Sequence, residues 1–266
     1  MKMKKILAVL MAILMITLVF SACGKKEDAK KDQTDMEYVK AKGTMVVGIT
    51  DFAPMDYQNA DGDWIGFDAD LAKEFAKYLG IDVQFKIIEW DYKVAEINGK
   101  TIDVVWNGMT LNDEVLAAME CTSAYLNNQQ VIVVPADKAD QYKTVDACKD
   151  LKFAVEAGSA AKAQAEENGF KYVEVLDQAT ALQEVAGGTS DAAIIDSLMA
   201  GAMIGEGTGY ANLTYTVALN DEEYGIGFRK GSDLVTEFNK FYAEKVADGT
   251  VQTIAETYGV QEALIK

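Results

Sequence analysis

Four apolar runs in this sequence end in small, polar or aromatic residues. They are Thr50-Asp51-Phe52, Trp106-Asn107-Gly108-Met109-Thr110, Glu156-Ala157-Gly158-Ser159-Ala160 and Asp196-Ser197. Carboxylates such as Asp51 and Asp196 can hold a cation, while hydroxyls, amides and helix-start N–H groups can hold an anion. Aromatic rings supply apolar walls. Together these groups suit the binding of a small polar molecule. Covalent catalysis is poorly equipped by comparison. The chain has no histidine, which removes most zinc sites, Ser-His-Asp triads and the commonest general base. No metal and no cofactor are expected. The glycine-rich stretch Gly205–Gly209 follows a helical pattern rather than a strand, so it does not read as a phosphate loop.

These residues must be held by alternating strands and helices. Met45–Ile49 reads as a strand, and Asp68 can cap a helix reaching Tyr78 with Leu71, Phe75 and Leu79 on one face. Ile81–Ile87 alternates as a second strand, followed by a short helix over Tyr92–Ile97 and a strand over Ile102–Val105. The pattern restarts at Leu151–Ala157, with helix 160–168, strand 172–176, helix 180–186 and strand 192–195. Strand-helix-strand order implies parallel pairing with crossover helices. A weak repeat marks the same point in each series. Glu96-Ile97-Asn98-Gly99-Lys100-Thr101-Ile102-Asp103 recurs as Glu184-Val185-Ala186-Gly187-Gly188-Thr189-Ser190-Asp191. Two similar α/β lobes follow, with ligands expected beyond the carboxyl ends of the strands.

The N-terminus predicts the compartment. Lys2, Lys4 and Lys5 precede an apolar run from Ile6 to Phe20, then Ser21-Ala22-Cys23, which is the plan of an export signal over residues 1–22. Val19-Phe20-Ser21-Ala22-Cys23 resembles the lipobox of bacterial lipoproteins. That resemblance implies lipidation (palmitate) of Cys23 and an extracytoplasmic chain anchored to the cell membrane; an uncleaved anchor is the alternative. Residues 23–42 read as a charged tether. Removing the three leader lysines leaves 22 basic against 42 acidic side chains, a net charge of −20. Such a surface disfavours nucleic acid and anionic headgroups. Cys121 and Cys148 could pair in an oxidising compartment or remain buried thiols.

From about Gly43 to the C-terminus the chain resembles family 3 of the bacterial solute-binding proteins, receptors of polar amino acid ABC importers. The resemblance is carried in family order by Gly66–Ala72, Gly99–Asp103, Asn107–Thr110, Val155–Ser159, Asp191–Asp196 and Tyr224–Gly231. It implies an α/β, two-lobed periplasmic-binding-protein type II fold, a monomer whose lobes close on a small-molecule ligand, and ABC permease subunits as partners. The lobes would be 43–133 with 220–266, and 134–219, joined at hinges near Val133–Ala136 and Leu219–Glu223. It further implies that Asp51 and Phe52 line the first-lobe wall. Gly108 and Thr110, with Asn107 and Met109 in the same run, would meet the ligand's carboxylate, as would Gly158, Ser159 and Ala160. Asp196 would take the α-ammonium.

One departure bears on the ligand. Five residues after the Thr of Gly-Met-Thr the family carries an arginine that grips a carboxylate; here that residue is Val115, and the only arginine is Arg229. Lysine cannot copy the fork. Two readings of the pocket stay open. In one, backbone N–H groups and the side chains of Asn107, Thr110 and Ser159 hold an amino acid's carboxylate. In the other, Asp51, Asp196 and Glu156, with Phe52, Trp64, Trp106 or Tyr224 as aromatic faces, cage an amine. A dehydratase-like enzyme on the same scaffold is a further alternative, with a buried acid such as Glu156 as proton donor. An export signal and a lipid anchor favour a receptor.

Overall fold

The computed structural model describes residues 33–265, so the expected leader 1–22, Cys23 and the start of the tether lie outside the described residues. From Thr34 the chain is one compact unit. It opens with helix α1 (Asp35–Lys42), within the stretch read as tether. Thr34 and Glu37 form a reciprocal capping box and Gly43 ends the helix in the left-handed region. Arg229 clasps Asp35 at 2.8 Å. The folded unit therefore begins at Thr34, not after Lys42 as the sequence reading had it.

The first lobe runs through β1 (Thr44–Ile49), the short pair β2 (Tyr57–Gln58) and β3 (Trp64–Ile65), α2 (Phe67–Leu79), β4 (Asp82–Ile87), α3 (Lys93–Asn98) and β5 (Val104–Thr110). It continues with α4 (Asp113–Ala118), β6 (Glu120–Cys121) and β7 (Leu126–Asn128). The second lobe holds β8 (Gln130–Pro135), β9 (Lys152–Glu156), α5 (Ala160–Glu167), β10 (Lys171–Val175), α6 (Gln178–Gly187), β11 (Ala192–Asp196), α7 (Ser197–Met203) and β12 (Leu213–Ala218). The chain then returns to the first lobe as β13 (Glu222–Phe228), α8 (Leu234–Ala247) and α9 (Thr250–Tyr258). The two sheets have the orders β4-β1-β5-β13-β6 and β10-β9-β11-β8-β12. In each, three strands joined by helices run parallel, and the strand that enters from the other lobe, β13 or β8, lies antiparallel beside them. This is the two-lobed architecture the sequence predicts.

The hinge crossings fall at Gln129, between β7 and β8, and at Leu219–Asp221, between β12 and β13. The first lies earlier than the expected Val133–Ala136. Val131–Val134 form the buried middle of β8, paired to β11 on one side and β12 on the other. An unbroken apolar run fits a central strand of either sheet, so its lobe was not legible.

The repeat corresponds to one device used twice. The Thr101 and Thr189 hydroxyls bond back to the Glu96 and Glu184 carbonyls at 2.9 and 3.1 Å. Asp103 and Asp191 exchange bonds with Val46 and Lys152 near the start of neighbouring strands, accepting from their N–H groups at 2.8 and 3.0 Å. Helix α2 does not use Asp68 as its cap. Gly66 occupies that position without a side-chain bond, and Asp68 turns into the core. Cys148 and Cys121 are free thiols, the first buried and the second half-buried. Among the described residues no helix is long and apolar enough to cross a membrane.

Candidate functional site

A cavity of about 240 Å³ lies where strand ends of the two lobes face each other. Phe52, Asn107, Gly108, Met109 and Thr110 line it from the first lobe, and Gly158, Ser159, Ala160 and Asp196 from the second. Four candidates lie elsewhere. Trp106 is fully buried in the core, its ring 5.2 Å from Phe238 and 6.4 Å from Phe75. Val104 and Trp106 belong to the main core, and only the last four residues of β5, Asn107–Thr110, reach the cavity. Trp64 is half-buried and packs on Phe85. Asp51 is exposed, its carboxyl raised by partial burial and by Asp177 of the second lobe. Tyr224 is fully buried and serves the cleft indirectly, by donating to Asp196 at 2.6 Å.

Asp196 is the centre of a hinge network. It is buried at the end of β11, and its Oδ1 accepts from Asn128 Nδ2, from Gln130 Nε2 at 3.0 Å and from the Tyr224 hydroxyl. Its Oδ2 accepts only from Gln178 Nε2, while Gln178 Oε1 receives the Asp196 N–H at 2.9 Å. A carboxylate offers about four acceptor positions, so Oδ2 retains capacity for one more donor. Asp196 holds the cap position of α7 without making a side-chain cap bond, so capping does not occupy it. The same two amides also reach Glu222 Oε1, which accepts from Asn128 at 2.7 Å and Gln130 at 2.8 Å. Burial first, and then the Glu222 carboxylate, push the pKa of Asp196 up to about 7. Asn128 and Gln130 flank the Gln129 crossing and Glu222 follows the other, so cleft chemistry and hinge geometry share donors.

The opposite wall offers anion donors. Ser159 caps α5, accepting from Lys162 N–H at 3.3 Å and donating to the Glu156 carbonyl at 2.8 Å. That leaves the first-turn N–H groups of Ala160 and Ala161, which have no acceptor within the helix. Asn107 adds an amide. Its Oδ1 accepts from Thr50 N–H, which fixes its orientation and leaves buried Nδ2 without a partner. Two expected donors are already engaged. The Gly108 N–H goes to Asp68 Oδ2 at 2.7 Å, and the Thr110 hydroxyl to Glu222 at 2.9 Å. Asp68, with its pKa raised to about 6 by burial, thus pins the end of β5 from behind the site.

The structure adds Trp90, Asp91 and Lys93 to the cleft. They follow the end of β4, and the strand-end rule that flags the other segments flags this one too when applied there. Lys93 is buried, with Nζ 5.0 Å from the Trp90 ring centre, and it donates across the cleft to the Gly158 carbonyl at 2.8 Å. Burial lowers its pKa, opposed by Glu114, Glu156 and Asp91. Val115 lines the cavity without a side-chain donor, its N–H taken by the Asn112 cap. The basic group buried in this cleft is therefore a lysine from α3 rather than an arginine from α4.

Fold and site together define a two-lobed receptor for a small solute. The chain matches the bacterial extracellular solute-binding proteins, family 3, over residues 45–261, and it belongs to that family. It is 29% identical over 256 residues to the L-cystine-binding protein TcyJ of Escherichia coli (strain K12), covering 94% of each chain. The crystal structure of a mutant of ArgBP from T. maritima matches with a TM-score of 0.79 and 28% identity, over 84% of this chain and 98% of that one. The ancestral amino acid-binding protein AncCDT-1, a precursor of cyclohexadienyl dehydratase, matches with a TM-score of 0.77 and 29% identity over the same shares. Family membership makes the chain an extracytoplasmic solute-binding protein serving an ABC importer, not an enzyme.

Proposed function

We propose that the cleft captures a polar amino acid or close relative by closure of the lobes, for delivery to an ABC permease. The supporting observation is that one cavity joins Asp196, with spare acceptor capacity at Oδ2, to the first-turn N–H groups of α5 and the unpartnered Asn107 amide. An α-ammonium at Asp196 and a carboxylate at Ala160, Ala161 and Asn107 satisfy all of these groups. Relatives named for binding cystine and arginine support the ligand class. Absence of the arginine fork at Val115 supports a second reading, an amine without a carboxylate. A thermal-shift screen of amino acids against the corresponding amines tests both. Ligand at a hundredfold excess over Kd stabilises the native state by about 2.7 kcal/mol. No stabilisation by any amino acid would end the first reading. We further propose that the protein is a monomer anchored through lipid on Cys23. Cys23→Ala should then leave a precursor that takes up no labelled palmitate, and equal labelling would contradict the anchor.

A further inference from the structure

Glu156 ends β9, lines the cavity and is 3% exposed. Its Oε1 accepts no hydrogen bond. A buried carboxylate oxygen without a donor is rare and calls for a partner. The protein's own cations do not supply one. Lys93 Nζ, whose charge bears on Glu156, donates to the Gly158 and Trp90 carbonyls and makes no hydrogen bond to Glu156, and Lys162 pairs with Glu174 at 3.2 Å. These two lysines are the cleft's bases, against five carboxylates in its lining. β9 and β11 are parallel neighbours with Ala193 opposite Ala154, so Glu156 and Asp196 end adjacent strands, whose backbones run about 4.8 Å apart.

We infer that Glu156 is a second cation-binding point of the cleft, so that the captured solute carries two cationic nitrogens, one at Asp196 and one at Glu156. This rests on the proposed reading of the cleft as a solute site. It narrows the ligand to a basic amino acid, a two-headed amino acid with an ammonium at each end, or a short diamine. Trp90 and Phe52 provide walls for the linking chain. Burial, then the Asp196 and Asp177 carboxylates, hold the Glu156 pKa well above its usual range. A ligand cation beside it offsets both effects.

Calorimetry on the full chain with L-lysine, L-cystine, putrescine and L-norleucine tests the inference, because norleucine is lysine without its second ammonium. At least one two-cation ligand should bind roughly 30-fold or more tightly than norleucine, and which one binds identifies the class. Glu156→Gln, checked by its melting temperature, should abolish that preference. The wild-type ratio of lysine to norleucine needs no variant and stands if Glu156→Gln fails to fold. Norleucine binding as well as every two-cation ligand, or an unchanged ratio in Glu156→Gln, would overturn the inference and leave the solute-capture reading intact. If no amino acid or amine binds at all, both fall.

Discussion

Gly158 meets the other lobe at close range across the cleft. Its φ is +67°, and a Cβ built on it would lie 2.6 Å from both the Cα and Oδ1 of Asp91 across the cleft. Gly169 has nearly the same backbone, φ +68°, with nothing within 4 Å of its Cβ position. Alanine at either site therefore carries the same left-handed strain, about 1–2 kcal/mol, whether the lobes are apart or together. Only at position 158 does the methyl also collide with the other lobe, and only when the lobes meet. Overpacking of that kind costs about 1–3 kcal/mol, which corresponds to roughly 5–150-fold in Kd. Melting of the free protein should fall equally in Gly158→Ala and Gly169→Ala. Calorimetry with the strongest ligand from the thermal screen should show lost affinity in Gly158→Ala alone. Equal affinities for the two variants would refute the reasoning, because the contact between Gly158 and Asp91 would then have no part in holding ligand.

Two further outcomes are expected. Asp196→Asn keeps shape but removes the charge and turns one acceptor oxygen into a donor facing the network's amides, and should weaken an ammonium-bearing ligand by roughly 30-fold or more, since loss of a desolvated charge pair costs about 2–5 kcal/mol; parental affinity would mean that no cation sits there. Asp68 and Asp196 have pKa values raised to about 6 and about 7, above the ordinary carboxylate near 3.9, so between those limits the native state holds more protons than the unfolded chain. Free-protein stability should therefore fall as pH rises from about 5 to 8, and affinity for an ammonium ligand should rise over the same range as Asp196 ionises. Melting curves and titrations at four pH values check both signs, and a free protein that gains stability across this range would contradict them.

Local chemistry was the legible part of the sequence. The Glu-to-Asp octets at 96–103 and 184–191 are closed by bonds within a few residues and one neighbouring strand, so their spacing was enough to reveal them. Gly188 takes the left-handed position in the second octet, but Lys100, not Gly99, takes it in the first. Asp196 and Ser159 stand where their spacing placed them, at the end of β11 and at the cap of α5. Trp106 misled because it stands one residue short of the strand end, Asn107–Thr110, that reaches the cleft. Asp68 looked like a cap because acids favour helix starts, whereas its partners Gly108 and Tyr125 are 40 and 57 residues away. Lys93 was missed for the same reason: its acceptor, the Gly158 carbonyl, is 65 residues distant. Contacts made only when two lobes meet leave no periodic trace.

Small-angle scattering of the full chain, free and saturated with the strongest ligand of the screen, tests lobe closure most directly. Lobes joined only at Gln129 and Leu219–Asp221 should draw together on binding, so the radius of gyration should fall. The saturated profile should match the arrangement in which Lys93 Nζ lies 2.8 Å from the Gly158 carbonyl. Superimposable profiles with and without ligand would contradict capture by closure.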